Sequence, residues 1–402
     1  MSAAAAAGRR PGVLFIVNSL ETGGAEKQVV TVLNHLDTRR FRLHLAYLKR
    51  NEKLLAELRR ERLEALLCCD VAHRIDGRAI RQLRGLLDRA GIDVIVCTNP
   101  YSTLYGQLAR RGSAAGARLI AVFHTTLPRS LRERAEMLLY RRIFNRSDLL
   151  LYVCESQRCY WRGKGMRPPK DTVIYNGIDT DYYTDRRSDR ERLAFRGSLG
   201  FGGEDYVIGL CSVFRPEKAH GDLLAAIASL RARGLPAKAL LIGDGPQRDA
   251  IARTISRLGL EGHAVITGLR EDVRPFIGAC DVMTLVSHSV ESFSLAALES
   301  LSLGKPMVMS DVGGARELIS DGEHGFLFAP GETQALASRL ETLASRALRE
   351  QLGHAAALRV RERFTVRGMT ERFADCIAGL LEDRAQSLPC TDNEHARASR
   401  IA

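Results

Sequence analysis

The chain is 402 residues long, 45% hydrophobic and 26% charged, with 59 Lys+Arg against 47 Asp+Glu and a formal charge of +12. That length is more than one hydrophobic core usually organises, so two domains with a cleft between them are expected. No apolar run approaches the ~20 residues of a membrane-spanning helix, and the alanine-rich start Met1 to Gly12 lacks the apolar stretch of a secretory signal, so a cytoplasmic address is expected.

In chain order, Val13 to Val17 is an apolar run too short for a buried helix. The Gly-containing turn Glu21 to Gly24 follows, and then Val29, Val32, Leu33 and Leu36 at helical spacing. Strand patterns return near Leu43 to Leu48, Val94 to Cys97, Leu119 to Phe123 and Leu149 to Val153, separated by amphipathic stretches that suit crossover helices. Residues 1–180 therefore read as one doubly wound domain. After Tyr175-Asn176-Gly177-Ile178-Asp179 the chain turns polar, with charges at 185–192 and glycines at 197, 200, 202 and 203, and a linker is expected over 181–205. A second series, 206–364, has strands near Tyr206 to Cys211, Ala239 to Gly243, Ala264 to Thr267, Asp281 to Val286 and Pro306 to Ser310. The fold class is α/β, with two tandem Rossmann-like domains. A last helix, about 365–384, places Met369, Phe373, Cys376, Ile377, Leu380 and Leu381 on one face, and 385–402 reads as a disordered tail.

The nine cysteines include no C-x-x-C pair, so neither a disulfide framework nor a zinc knuckle is indicated. Charge is uneven: residues 1–180 hold 31 Lys+Arg and 17 Asp+Glu, whereas 181–402 hold 28 and 30. Such an excess draws a domain to anionic lipid headgroups, nucleic acid or an acidic substrate, or reflects an Arg-rich composition alone.

The chemistry concentrates in 291–300. Glu291 precedes a helix start, and Glu299 lies about two turns further along; eight positions at helical rise separate them by roughly 12 Å. Such a pair cannot share a proton or a metal, and it suits neither the ~5–10 Å carboxyl spacing of a glycosidase nor one small ligand. It suits opposite ends of a long one. The amides of Phe293, Ser294 and Leu295 are expected to point at an anion ahead of the helix.

The run from Cys280-Asp281 through Glu291 and Glu299 to Gly304-Lys305-Pro306 and Asp311-Val312-Gly313-Gly314 resembles family 4 (group 1) of the retaining glycosyltransferases. Gly23-Gly24-Ala25-Glu26, Asn176-Gly177-Ile178-Asp179, Arg215-Pro216-Glu217-Lys218 and Gly243-Asp244-Gly245-Pro246 match it in the same order. The resemblance implies the GT-B architecture, with an acceptor domain, a donor domain and a terminal helix crossing back onto the first. It also implies that Glu299 holds the ribose hydroxyls, that Glu291 contacts the transferred sugar and that Lys218 with Arg215 neutralises the diphosphate. Gly23 and Gly24 approach the phosphate, His124 orients the sugar, and Gly243, Asp244, Leu269 and Arg270 complete the donor pocket. No metal or cofactor is expected, the nucleotide sugar, UDP-linked or similar, being a substrate. The expected partner is a carbohydrate or lipid-linked acceptor in cell-surface polysaccharide or glycolipid synthesis, and the basic first half adds the expectation of peripheral contact to the cytoplasmic face of a membrane.

Three departures from the family pattern stand out: Val213 where an arginine is usual, Ser292 in place of glycine, and Ser287-His288-Ser289-Val290 without a proline. Asp179-Thr180-Asp181 spells the metal motif of a different transferase fold but falls in the linker match. Two other classes remain open. A nucleotide-sugar epimerase of the same architecture would convert donor without acceptor. A basic nucleic-acid-binding protein is disfavoured by 6% aromatics and no recognition motif, and the first strand-to-helix turn lacks the dinucleotide fingerprint of a dehydrogenase.

Overall fold

The computed structural model describes residues 8–124, 131–289 and 291–386; the tail from 387 on, Met1 to Ala7, Thr125 to Ser130 and Val290 lie outside the described residues. Two parallel sheets form. The first runs in the order β3-β2-β1-β4-β5-β6-β7, built from β1 (Gly12–Val17), β2 (Arg42–Tyr47), β3 (Leu63–Cys68), β4 (Ile92–Thr98), β5 (Arg118–Phe123), β6 (Leu149–Tyr152) and β7 (Asp171–Val173). The second runs β10-β9-β8-β11-β12-β13, from β8 (Tyr206–Cys211), β9 (Ala237–Ile242), β10 (Ala264–Ile266), β11 (Val282–Leu285), β12 (Met307–Ser310) and β13 (Gly325–Phe328). This is the GT-B arrangement.

Continuous apolar strands arise because both sheet faces are covered by helices. In β1, Val13, Phe15 and Val17 enter one core while Leu14 and Ile16 enter the other, as the period of two requires. Strand order reverses direction at β1/β4 and again at β8/β11, and ligands bind beyond the carboxyl ends of the strands at such switch points.

Three strands have no counterpart among the sequence expectations: β3, β7 and β13. All are edge strands. β3 is only half-buried and charged around its start, while β7 has three residues and β13 four, so none carries the long apolar run that marks a central strand. The polar stretch after Asp185 also differs from expectation, because Asp189–Ser198 is a helix. Its capping box joins Ser188 and Glu191, and a carboxylate-rich first turn suits the helix N-terminus.

The two chain crossings between domains pair with each other. Ile178 N donates to Phe364 O at 3.0 Å and Val366 N to Ile178 O at 2.9 Å. Gly177 has no room for a Cβ against the Thr365 carbonyl, which explains the glycine of Asn-Gly-Ile-Asp. Asn176, buried, donates to Phe293 O at 2.7 Å and accepts from Gln28 Nε2 at 2.7 Å, so it binds both domains. Asp179 Oδ1 accepts from the amides of Asp181 and Tyr182, an Asx turn that accounts for the Asp-Thr-Asp triplet. Beyond the crossing, the Val366–Gln386 helix lays Met369, Phe373, Ile377, Leu380 and Leu381 into the first domain's core, with Cys376 against it. Among the described residues no helix is long and apolar enough to cross a membrane, and eight cysteines are all free.

Two buried histidines make stability pH-dependent. His44 and His220 are 1% and 3% exposed. Burial pushes both imidazoles from the ordinary 6.5 down to about 4, opposed at His44 by Glu64 and reinforced at His220 by Lys218. Between those values the unfolded chain binds more protons than the folded one, so stability rises with pH through the window and is lost as pH falls through it. Urea unfolding at pH 5 is expected to give a free energy lower than at pH 7 by about 2 kcal/mol or more. Equal values at the two pH values would show that neither histidine is held neutral.

Candidate active site

The two glutamates are both buried, at 8% and 5% exposed, and a buried carboxylate needs a partner. Each has its own. Lys218 Nζ donates to Glu291 Oε1, which also accepts from Ser287 Oγ at 3.1 Å. Glu299 Oε1 accepts from Lys27 Nζ at 2.8 Å and from Tyr183 OH at 2.8 Å. No side chain is hydrogen-bonded to both glutamates among the described residues, so they act as separate groups.

Local structure explains each placement. After β8 the chain makes a single 3-10 turn, Pro216–Lys218, closed by Ala219 in the left-handed conformation at φ +49, and this turn aims Lys218 across at the loop after β11. The helix holding Glu299 is Leu295–Ser302, capped by Ser294, whose hydroxyl accepts from Ala297 N at 3.3 Å. Glu291 therefore lies four residues ahead of the helix, and Glu299 is one turn into it. Glu291 does precede the helix start, as expected, but the expected spacing of about two helical turns is corrected: the segment between Glu291 and Ser294 is non-helical because Ser294 supplies the cap.

The amides of Phe293, Ser294 and Leu295 have no hydrogen-bond partner among the described residues. The Phe293 side chain instead packs with Tyr175 and Phe364 at ring distances of 4.9 and 5.2 Å, leaving only its backbone for the cleft. Opposite stands the other domain's Gly24, which opens the helix Gly24–His35; a Cβ there would come 4.0 Å from Leu295 Cδ1. The N-termini of these two helices thus come close together; the one at Phe293 to Leu295 has open amides and favours an anion, while the Glu26 carboxylate lies beside the other.

Glu291 is held from behind. Gly313, at φ +60, lies so close to the Glu291 carbonyl oxygen that a Cβ would overlap it, and Gly314 N donates to Ser292 O at 2.7 Å. Ser292 Oγ then donates to His124 O at 2.6 Å, tying this loop to the end of β5. His124 N donates to Asn99 Oδ1 at 3.1 Å, and desolvation drives its imidazole down to about 4, so the ring is neutral. Its buried Nε2 has no partner among the described residues, nor do Asn18 Oδ1 and Thr98 Oγ1, which end the neighbouring strands β1 and β4. These are unmet hydrogen-bonding atoms along one rim of the first sheet.

Family models cover both halves of the chain: Glycosyltransferase Family 4 matches residues 22–182, and Glycosyl transferases group 1 matches residues 205–346. The chain belongs to the family 4, group 1 glycosyltransferases. It is 28% identical to N-acetyl-alpha-D-glucosaminyl L-malate synthase of Bacillus anthracis over 54% of this chain, and that match spans 56% of the relative's length. It is 26% identical to the putative glycosyltransferase EpsD of Bacillus subtilis (strain 168), over 73% of this chain and 79% of that one. In structure it is similar to Anabaena HepE, solved with UDP, at a TM-score of 0.79 and 23% identity over 92% of this chain and all of that one. It is likewise similar to sucrose-phosphate synthase of Thermosynechococcus elongatus, at a TM-score of 0.78 and 17% identity over 93% of this chain and 100% of that one. These likenesses do not favour an epimerase.

The remaining expected residues of this glycosyltransferase fall in two groups. Arg215 is exposed at the start of the Lys218 turn, with no ion pair or side-chain hydrogen bond among the described residues. Gly243 and Gly268 bridge the loops after β9 and β10, and Gly243 sits too close to the Ser212 carbonyl for any Cβ. Asp244 pairs with Arg248 at 3.0 Å, Leu269 is 66% exposed, and Arg270 lies over the Phe276 ring at 5.1 Å. None of these contacts either glutamate. Gly23 caps the Gly24–His35 helix with extended backbone, and a Cβ on it would meet Glu26. Among the described residues no three His, Cys, Asp or Glu side chains are grouped to hold a metal ion.

The sequence expectations did not include Lys27 or Tyr183. Lys27 follows directly on the Gly-Gly-Ala-Glu match, and a cation one turn into a helix that faces a phosphate site was the available signal. Burial opposes its charge, but the Glu299 carboxylate and Tyr183 outweigh burial and raise its pKa above the ordinary lysine range. Burial and the same carboxylate hold the Tyr183 phenol protonated.

Proposed function

We propose that the protein transfers a sugar from a nucleotide diphosphate sugar to a hydroxyl of a carbohydrate or lipid-linked acceptor, with retention at the anomeric carbon. The observation that carries this reading is the helix N-terminus with free amides at Phe293 to Leu295, flanked by two buried carboxylates that each have their own lysine. In the proposed step the bond from the anomeric carbon to the diphosphate breaks, and the acceptor oxygen bonds to that carbon on the same face. The acceptor's proton passes to the departing phosphate oxygen. Negative charge grows on the diphosphate as this happens, and fixed donors aimed at it lower the barrier. The amides of Phe293, Ser294 and Leu295, with Lys218 and Arg215, are assigned that work without a metal or cofactor. Glu291 is assigned to the sugar, Glu299 to the ribose, and His124, neutral, to a sugar hydroxyl. Gly243, Asp244, Leu269 and Arg270 are assigned to the base side of the donor.

A uridine donor is supported by the complexes of HepE with UDP and UDP-glucose. A relative in Mycolicibacterium smegmatis is GDP-mannose-dependent, so the test spans both bases. A thermal-shift panel of UDP, GDP, ADP and their sugars is expected to give one stabilising series, by about 2.7 kcal/mol at a hundredfold excess over Kd. Glu299→Ala is expected to weaken that nucleotide by about 10–100-fold, the worth of a hydrogen bond to a charged group. No shift with any nucleotide would overturn the reading.

A further inference from the structure

Both hydrogen bonds to Glu299 fall on the same oxygen. Lys27 Nζ and Tyr183 OH each donate to Oε1 at 2.8 Å, and Lys27 Nζ lies 3.1 Å from Tyr183 OH, so the three atoms form a closed triangle. Oε2 accepts no hydrogen bond among the described residues. A carboxylate has about four acceptor sites, two on each oxygen. Lys27 and Tyr183 occupy those of Oε1 and leave the two of Oε2, the number that a vicinal diol needs. The terminal torsion of a glutamate is broad and roughly two-fold, so an unpinned Glu299 would sample other orientations.

Each donor is itself fixed. Tyr183 is 8% exposed, and its carbonyl accepts from Ser302 Oγ at 2.8 Å, within the same helix that holds Glu299. Lys27 N donates to Gly23 O at 2.9 Å, in the first turn of the Gly24–His35 helix. Lys27 therefore comes from the first domain, Tyr183 from the segment after the crossing and Glu299 from the second domain.

We propose that Lys27 and Tyr183 are positioning residues for ribose recognition: they hold Glu299 Oε1 so that Oε2 is presented to the 2′,3′-diol of the donor, and Lys27 makes that presentation depend on the first domain being in place. This deepens the nucleotide-sugar reading and rests on it. It predicts a readout that a merely structural contact would not move, namely discrimination between a ribonucleotide and its 2′-deoxy counterpart.

The test is titration calorimetry on the full chain, using whichever of UDP, GDP and ADP binds the wild type most tightly, together with the matching 2′-deoxynucleotide. The wild type is expected to prefer the ribonucleotide by about tenfold or more, the value of a lost hydrogen bond to a charged group. Lys27→Met and Tyr183→Phe are each expected to weaken the ribonucleotide by about fivefold to tenfold and the 2′-deoxynucleotide by less than about twofold, narrowing the preference. Lys27→Arg, which keeps the charge, is expected to restore part of it. Tyr183→Phe removes one hydroxyl, so it remains informative if Lys27→Met melts at room temperature. An equal loss for both nucleotides in the two variants, or an unchanged preference, overturns the positioning role. Glu299→Ala separates the two levels. If it erases the preference and the positioning variants do not, only this inference falls; if it binds like the wild type, or no nucleotide binds the wild type, the donor reading falls and takes this inference with it.

Discussion

Replacing Lys218 with alanine is expected to slow sugar transfer by roughly 10²–10³-fold, the usual cost of removing one donor aimed at developing negative charge. On the proposed mechanism the Lys218 ammonium, 20% exposed, serves the diphosphate and is paired with Glu291, the carboxylate assigned to the sugar. The substitution has a second effect. It leaves the Glu291 carboxylate, 10% exposed at its side chain, with Ser287 as its remaining hydrogen-bond donor among the described residues. Losing one member of a buried pair costs stability, up to about 3–5 kcal/mol where burial is complete and less here. The two effects separate in the double variant Lys218→Ala with Glu291→Gln. Removing the orphaned charge is expected to recover the melting temperature without recovering the rate. Full activity in the Lys218→Ala protein, measured as turnover at saturating donor, would remove Lys218 from the mechanism. Recovery of both stability and rate in the double variant would mean that the lysine serves only the fold.

The second large effect is expected far along the chain from either lysine. Gly313→Ala should destabilise the protein by about 2–5 kcal/mol, combining about 1–2 kcal/mol for a left-handed non-glycine residue with about 1–3 kcal/mol for overpacking. Its φ is +60, and the added Cβ would overlap the Glu291 carbonyl group and crowd the Ser292 carbonyl oxygen, all backbone, so the loop that carries Glu291 must move. A loss of transfer rate is expected even at temperatures where the variant is fully folded, since a shift of about 1 Å at a reacting group costs up to 10²-fold. Gly322→Ala is the control. Gly322 also has positive φ, +81, yet nothing lies within 4 Å of a Cβ built on it. It should lose only the backbone term and keep its rate. If Gly313→Ala keeps its rate as well, the Asp-Val-Gly-Gly loop does not govern where Glu291 sits.

The parts of the site that could be read directly are those whose chemistry is local. The strand-turn pattern after Tyr206 to Cys211 brings Lys218 to a switch point, and Ser294 ahead of Leu295, Leu298 and Leu301 marks a capped helix start with open amides. The two glutamates were legible as separate groups, although by a measured helical rise that does not apply between Glu291 and Ser294. Their true separation comes from partners: Lys218 and Ser287 for one, Lys27 and Tyr183 for the other. The strands β3, β7 and β13 escaped notice because an edge strand buries less and can be short, and hydrophobic periodicity reports burial alone.

The amino-acid sequence by itself determined the alternation of strand and helix, the division into two parallel-sheet units, the amphipathic face of the last helix and the positions of Glu291, Lys218 and the glycine turns. Each of these follows from the character of neighbouring residues, where the chain's own geometry sets the spacing. Only the tertiary structure decided that Lys27 meets Glu299 across 272 residues, that Tyr183 joins them from the crossing, that Ser292 reaches the carbonyl of His124 and that Gly313 braces Glu291. Those contacts depend on how two domains are docked. A docked interface is set by the sum of many packed side chains, and no single stretch of sequence encodes it.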